Sequence, residues 1–473
     1  MMARVLPVIL FFALLCWPGA TTAQLQWNIK MLGHWDDDSI PESWAGAFSE
    51  CWGYAAQGRE YAFIGSTQGT YFFDVTDASV PVQIGYFTTR DTATLVVNKD
   101  YATYGHYLYA VSDQGDNALQ IFDLQYLPDS VSLVYESDAL SRRCHTVFVE
   151  RGRLYMCSNT RFDYSVGPMD IFSLADPLNP ALLGTVWNPG FSFVHEVFVM
   201  NDTAYCANGN DGLWIYDVRN PVSPHLISIL DDYPEAGYNH SAWLTADGKT
   251  MVFTDENRGK GVKIYDMADI YDPQLVSMVR SNLLQVDDPT GPFGSMAHNP
   301  YIVGNSLLVS WYHDGVAVFD ISDPSRPVRT GLYDTHPQDT IYYGSKGCWG
   351  LYPFLPSGNI IASDIDNGLF ILDGSKALMP AFDPSPPSIF VGPNPSSGNL
   401  EIHFERIEEH RIGISFFDYA GRLALRREVE TAAGTGVIRI AVPELASGLY
   451  VVVLESGNTR QTGKIVIAKD ERN

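Results

Sequence analysis

The sequence predicts an all-β fold: a seven-bladed β-propeller followed by a small β-sandwich domain. Three observations carry that expectation. First, a short apolar run ending in aspartate, followed by a Pro-rich turn and a second apolar run, recurs along residues 72–376. Its anchors are Asp74, Asp123, Ser173, Asp217, Asp266, Asp320 and Asp373, which by subtraction lie 49, 50, 44, 49, 54 and 53 residues apart. A period near fifty, filled with strands and turns, describes units that cannot bury a core singly and must stack or close into a ring. Second, 13% aromatic residues with 40 Gly and 28 Pro favour strands joined by many turns. Third, the period stops near Pro380 and a different strand pattern follows.

In chain order, residues 1–23 read as a processing signal. Arg4 gives a positive start, Val5 to Trp17 an apolar run, and Thr21-Thr22-Ala23 a small-residue cleavage site. That run is short for a bilayer span, and no later stretch approaches the ~20 apolar residues a span needs. The mature chain is therefore expected to be exported with no transmembrane segment.

Residues 24–379 form the expected propeller. The unit beginning at His145 shows its plan: HTVFVE as an alternating strand, a turn at Arg151-Gly152, then RLYMCSN, DIFSL, the Asp176-Pro177 turn and ALLGTV. Four short antiparallel strands per repeat, seven times over, match a propeller, whose ring leaves only short edges. A solenoid would need polar capping repeats, and none is visible. The last repeat lacks its fourth strand after ILDGSK. The segment at 27–35, with Ile29 to Trp35, has the matching pattern and is expected to complete the seventh blade.

Residues 380–388 are a Pro-rich linker, and residues 389–473 a separate unit of five to seven strands suited to a small sandwich.

The formal charge of −25 and the lack of a basic stretch exclude nucleic acid as a partner. Five cysteines remain after the signal: Cys51, Cys144, Cys157, Cys206 and Cys348. An odd number leaves at least one thiol unpaired within the chain. Cys51-Trp52-Gly53 and Cys348-Trp349-Gly350 repeat one tripeptide in the first and last units. A disulfide and a pair of buried thiols are both open for them.

Histidines give the sharpest chemical signal. His145, His195, His240 and His298 open the first strands of their repeats, with Trp52 and Trp349 holding the corresponding place in the first and last. In a propeller those starts converge on one mouth of the axial channel. With the neighbouring carboxylates Glu196 and Glu256, the four imidazoles suit one divalent metal ion such as zinc, iron or manganese. The competing reading is structural, with each imidazole bonding the backbone of an adjacent blade. Trp52, Trp311 and Trp349 are candidates to stack on a ligand, against core packing. The loops Asp36-Asp37-Asp38-Ser39, Asp231-Asp232 and Asp287-Asp288 are oxygen-rich but lack calcium-loop spacing and read as solvated turns. Asp113 to Asn117 and Gly209 to Gly212 read as turns on the same face as the histidines. Phosphate-cradling glycine loops, a serine elbow and paired CxxC motifs are absent.

Two stretches resemble known families. The C-terminal unit, through Pro393-Asn394-Pro395, Ser397-Gly398, Phe417 to Arg422, Leu445 to Tyr450 and Lys464 to Ile467, resembles the type A sorting domain of the Bacteroidetes type IX secretion system. That resemblance implies export by a dedicated translocon, with the domain cleaved and the cargo attached to the surface or released. The repeats, through Cys51 to Tyr54, Phe193 to Val199, Asn239 to Trp243, His298 to Tyr301 and Cys348 to Pro353, resemble the choice-of-anchor B family with its LVIVD-type propeller repeats. The resemblance implies an architecture and an address, not a reaction. The expected function is binding of an extracellular protein, glycan or peptide. A metal-dependent, lactonase-like hydrolase and a structural surface component are the alternatives.

Overall fold

The anchors of the repeated phrase act as turn caps. In the computed structural model, the side chain of each anchor accepts a hydrogen bond from the backbone N–H two residues on: Thr76 to Asp74 (3.0 Å), Gln125 to Asp123 (2.8 Å), Ala175 to Ser173 (3.2 Å), Arg219 to Asp217 (3.0 Å), Ala268 to Asp266 (2.9 Å), Ser322 to Asp320 (2.9 Å) and Ser375 to Asp373 (2.9 Å). A short side-chain acceptor there satisfies backbone that has just left the sheet. The repeated phrase is therefore scaffold.

The structure describes residues 25–281, 283, 294–338, 342–378, 389–392, 396–407, 411–418, 422–430, 434–456 and 459–469. The expected signal at 1–23, the linker at 380–388 and Asp287-Asp288 lie outside them.

Seven antiparallel sheets follow one another around a ring. Their first strands are Phe48–Ala56, Lys99–Tyr104, Thr146–Glu150, Glu196–Met200, Asn239–Leu244, Met296–Val303 and Cys348–Tyr352. Each packs against the next, and the last packs against Phe48–Ala56, so the ring closes. Closure comes from the N-terminal segment. Lys30–Trp35 pairs with Gly368–Asp373 as the fourth strand of the seventh blade. The preceding Gln26–Trp27 adds a fifth strand to the sixth blade, which the sequence did not reveal. Between the two short strands, Ile29 is buried in an apolar cluster with Tyr333, Cys348 and Leu372, so one segment stitches two blades together.

Adjacent blades interlock through the fourth strand. A Cβ on Gly184 would sit 1.8 Å from the Pro221 carbonyl oxygen in the next blade's turn, and one on Gly33 would sit 2.1 Å from the Ala78 oxygen. Where serine stands instead, its hydroxyl donates to that turn: Ser228 Oγ to Ile270 O (2.8 Å) and Ser277 Oγ to Pro324 O (2.5 Å). All five mature cysteines are buried free thiols, so the Cys51–Cys348 disulfide does not form.

The C-terminal unit is a seven-stranded sandwich. Phe390–Gly392, Asn399–Ile407 and Gly434–Ala441 make one sheet. Leu423–Glu430, Arg411–Asp418, Gly448–Ser456 and Thr459–Ile467 make the other. Alternate residues of both sheets, among them Ile402, Phe404, Ile414, Phe416, Val452 and Ile465, meet in a single core. No helix among the described residues is long and apolar enough to cross a membrane.

Candidate functional site at the channel mouth

Strand pairing identifies which residues are equivalent from blade to blade. Counted from the anchors, Cys51 (opposite Ile64) corresponds to Tyr101, Val147, Val197, Ala242, Pro300 and Leu351. Two residues earlier stand Ser49, Lys99, His145, His195, His240, His298 and Trp349. The four histidines and Trp349 thus share one ring position, as expected. The partner of Trp349 in the first blade, however, is Ser49 and not Trp52. The two Cys-Trp-Gly tripeptides are offset by three residues: both strands carry a bulge at the same place, but Cys51 follows it, opposite Ile64, whereas Cys348 precedes it, opposite Asp364.

The residue after each ring position forms a second column: Glu50, Asp100, Thr146, Glu196, Ser241, Asn299 and Gly350. Members of both columns, with Asn98 and Glu256, line one pocket of about 60 Å³. Trp349 lines it too. Trp52 does not: its Nε1 donates to Thr103 Oγ1 (3.2 Å) and its ring packs on Tyr352. Trp311 is a core residue, 1% exposed and packed with Leu307, Val309 and Phe319. Both are corrected as ligand-binding candidates.

The histidine rings form a continuous arc, with centroids 4.1 Å apart for His145–His195, 4.3 Å for His195–His240 and 4.1 Å for His240–His298. Hydrogen bonds assign their tautomers. The Asp113 carboxylate accepts from His145 Nδ1 (2.8 Å), which leaves Nε2 of the neutral ring as an acceptor. His195 Nε2, 2.8 Å from His145 Nε2, therefore carries the proton between them. Its other nitrogen, Nδ1, keeps a lone pair and is buried with no hydrogen-bond partner among the described residues. His298 Nδ1 donates to the Trp349 carbonyl (2.8 Å), leaving a lone pair on Nε2. This last bond is the backbone-bonding role of the structural reading, and the His240 backbone also acts on the His195 ring.

His240 stands between two carboxylates. Glu196 Oε1 is held by the Ser241 hydroxyl (2.7 Å), and its Oε2 lies 3.9 Å from His240 Nδ1. Glu256 Oε1 is held by the Tyr312 hydroxyl (2.9 Å), and its Oε2 lies 3.9 Å from His240 Nε2. His195, His240 and Glu256 each place a ligand atom within 4.8 Å of the other two.

Burial suppresses charge of both signs here. It holds His195 and His240 well below the ordinary imidazole range, reinforced by the neighbouring imidazoles, and pushes His298 down to about 3. It raises Glu196 to about 8, Asp100 to about 7, and Glu50 and Glu256 above the usual carboxyl range. Three imidazoles and four carboxyls are thus gathered where none is easily charged. Such a cluster is a mark of a functional site.

Asp100 and Glu50 were missed by sequence reasoning, and Asp113 was placed on the histidine face only as part of a turn. The first two were findable, since a polar column directly follows the histidine column. Asp113 comes from the second-to-third-strand loop of another blade, and only the ring brings it to His145. Among the acidic loops, Asp37 caps its own turn through Ser39 (2.6 Å) and contributes nothing to the mouth.

Comparison with known proteins places both parts. Residues 390–468 match the secretion system C-terminal sorting domain, and residues 194–232 and 296–335, within the fourth and sixth blades, match the LVIVD repeat. No curated protein matches the sequence. Among solved structures, a candidate 6-phosphogluconolactonase from Bacteroides uniformis is 14% identical over 81% of this chain and 100% of its own, with a TM-score of 0.47. The periplasmic gluconolactonase of Pseudomonas aeruginosa is 12% identical over 84% and 99%, with a TM-score of 0.47. The computationally designed Ika8 protein is 9% identical over 90% and 98%, with a TM-score of 0.42. Likeness at this level carries no reading of function. The chain carries LVIVD repeats in a seven-bladed β-propeller and ends in a type IX secretion sorting domain.

Proposed function

We propose that this protein is exported through the type IX translocon to the cell surface or the medium, where its propeller binds an extracellular ligand on the channel-mouth face. The observation that carries the reading is the mouth itself. A fold built from apolar repeats places His195, His240, Glu196 and Asp100 together where their charge is suppressed, an arrangement that packing alone does not call for. A pocket of about 60 Å³ admits an ion, a water or one functional group, but not a sugar ring. A larger ligand would insert one group and lie across the surrounding loops. Those loops expose aromatic faces: Trp44, Phe162, Tyr164, Trp187 and Tyr343 all stand in connections on the side where the first strands begin. Exposed aromatics suit glycan and peptide ligands.

The test is a glycan and peptide array probed with the purified protein. Capture that falls at least tenfold in Trp187→Ala or Trp44→Ala supports the reading. Capture unaffected by either substitution and by His240→Ala contradicts it.

A second reading, a hydrolase, is favoured by one observation. The Asp113–His145–His195 chain joins a carboxylate to two imidazoles at the pocket wall, an arrangement that can relay a proton. Turnover of ester, lactone or phosphoester substrates that is lost in His145→Ala would support it.

A further inference from the structure

Two imidazoles at the channel mouth have nitrogens that no hydrogen bond among the described residues satisfies. His195 is 7% exposed and His240 3%, and the Nδ1 atom of each is buried without a hydrogen-bond partner among the described residues. For His195 the unsatisfied atom is a lone pair, because the chain Asp113–His145–His195 fixes the proton on Nε2. Leaving such a group buried and unpaired is unfavourable. A hydrogen-bonded carboxylate behind a histidine, orienting the ring and fixing its tautomer, is the usual outer-shell support of a metal ligand. The carboxylates are arranged the same way. Ser241 and Tyr312 each hold one oxygen of Glu196 and Glu256, and the other oxygens face His240 from opposite sides: Glu196 faces its unsatisfied Nδ1, and Glu256 faces Nε2, the nitrogen placed to share an ion with that carboxylate.

We propose that His195, His240 and Glu256 hold a divalent first-row transition-metal ion, zinc being the best fit, at the mouth of the propeller channel. Two imidazoles and one carboxylate leave a coordination position open for water or for a ligand oxygen. Imidazole disfavours calcium and magnesium, which prefer all-oxygen sites. His145 and Asp113 act as positioning residues, and Glu196 supplies a second negative group beside His240. The proposal rests on the reading of the mouth as a ligand-binding face and names what the ligand meets there: a metal that takes an oxygen donor such as a carboxylate, phosphate or vicinal diol.

A second histidine–carboxylate group, His336 with Asp364 and Asp366, offers a contrast. There the Lys346 ammonium donates to Asp366 (2.5 Å), Thr335 donates to Asp364 (2.6 Å), and the Asn367 amide lies 3.1 Å from His336 Nδ1. That cluster contains its own cation, whereas among the described residues no lysine or arginine lines the channel-mouth pocket; the buried Lys99 shares the ring column but not the pocket wall.

The experiment uses the purified protein, stripped with chelator, re-equilibrated with zinc chloride and freed of excess by gel filtration. Elemental analysis is expected to find one zinc per chain, with a rise in the thermal midpoint. The double substitution His195→Ala/His240→Ala and the near-isosteric Glu256→Gln should each abolish stoichiometric zinc. Glu256→Gln keeps an oxygen for Tyr312 and guards against a loss due to misfolding. Asp113→Asn should retain the stoichiometry while weakening affinity about 10–100-fold. Wild-type protein without stoichiometric zinc, or variants that keep it, would overturn the proposal. The assay needs no ligand, so its outcome is separate from the array: zinc without capture defeats only the ligand reading, and capture by zinc-free protein defeats only the metal.

Discussion

His145 Nε2 and His195 Nε2 lie 2.8 Å apart, across the junction of the third and fourth blades. One proton bridges them, and Asp113 on the far side of His145 decides where it sits. Imidazole ¹⁵N chemical shifts of the metal-free protein should show His195 protonated on Nε2 and His298 on Nδ1. In Asp113→Asn the His195 signal should change while that of His298 stays. A His195 ring protonated on Nδ1 would remove the basis for treating it as a ligand.

The N-terminal segment is expected to hold the ring shut. Deleting residues 24–35 removes Gln26–Trp27 and Lys30–Trp35, bares an edge on two sheets and takes Ile29 out of the core. Burial of one Ile side chain is worth about 1.5–3 kcal/mol before any strand pairing is counted. The thermal midpoint should fall by several degrees, with a broadened transition. An unchanged unfolding curve would mean that closure lies elsewhere.

The interlocking of blades predicts a graded glycine series. Gly184→Ala should destabilise by about 1–3 kcal/mol or more, because the new methyl meets the Pro221 carbonyl. Ser228→Ala, which loses one hydrogen bond to Ile270 O, should cost about 1 kcal/mol. Gly85→Ala, with no atom nearer than 3.6 Å, should be close to neutral. Denaturant midpoints in that order support the packing, and equal midpoints contradict it.

Asp100 gives a pH dependence with a definite sign. Burial raises its pKa from 3.8 to about 7, opposed by the Val147 N–H that it accepts at 2.6 Å and by His145. A raised carboxyl contributes stability that is fully present below its unfolded pKa and is lost as pH rises through the folded value. In the presence of chelator, Asp100→Asn keeps an acceptor for Val147 and escapes that loss. Its thermal midpoint relative to wild type should therefore rise between pH 4 and pH 8. A constant difference would show that Asp100 is not held neutral in the metal-free protein.

The repeat was legible because the turn chemistry is local. Each anchor and its Pro-rich turn lie within a few residues, so Asp74 or Asp320 shows its role in the sequence itself. The closing strand was legible for a similar reason, since Ile29 to Trp35 copies the alternation of VQIGYF and ALLGTV. The preceding Gln26–Trp27 is too short to carry a period and pairs with a blade three hundred residues away. The histidine column was visible as a spacing. Of its companions, Glu196 and Glu256 were visible as neighbouring carboxylates, whereas the bonds of Asp113 to His145 and of Tyr312 to Glu256 join neighbouring blades that only closure brings together. Trp52 misled because a shared tripeptide was taken for a shared register, whereas Cys51 stands three residues further along its strand than Cys348 does. Trp311 misled because an aromatic at a blade's inner edge reads alike whether it faces the channel or the core.

The most direct test of the account is an anomalous-difference map from crystals of the zinc-equilibrated protein, collected on both sides of the zinc absorption edge. The account predicts one strong peak at the channel mouth, about 2.0–2.2 Å from a nitrogen of His195, a nitrogen of His240 and an oxygen of Glu256. A map with no peak there, or with zinc only on exposed histidines such as His225, would contradict it.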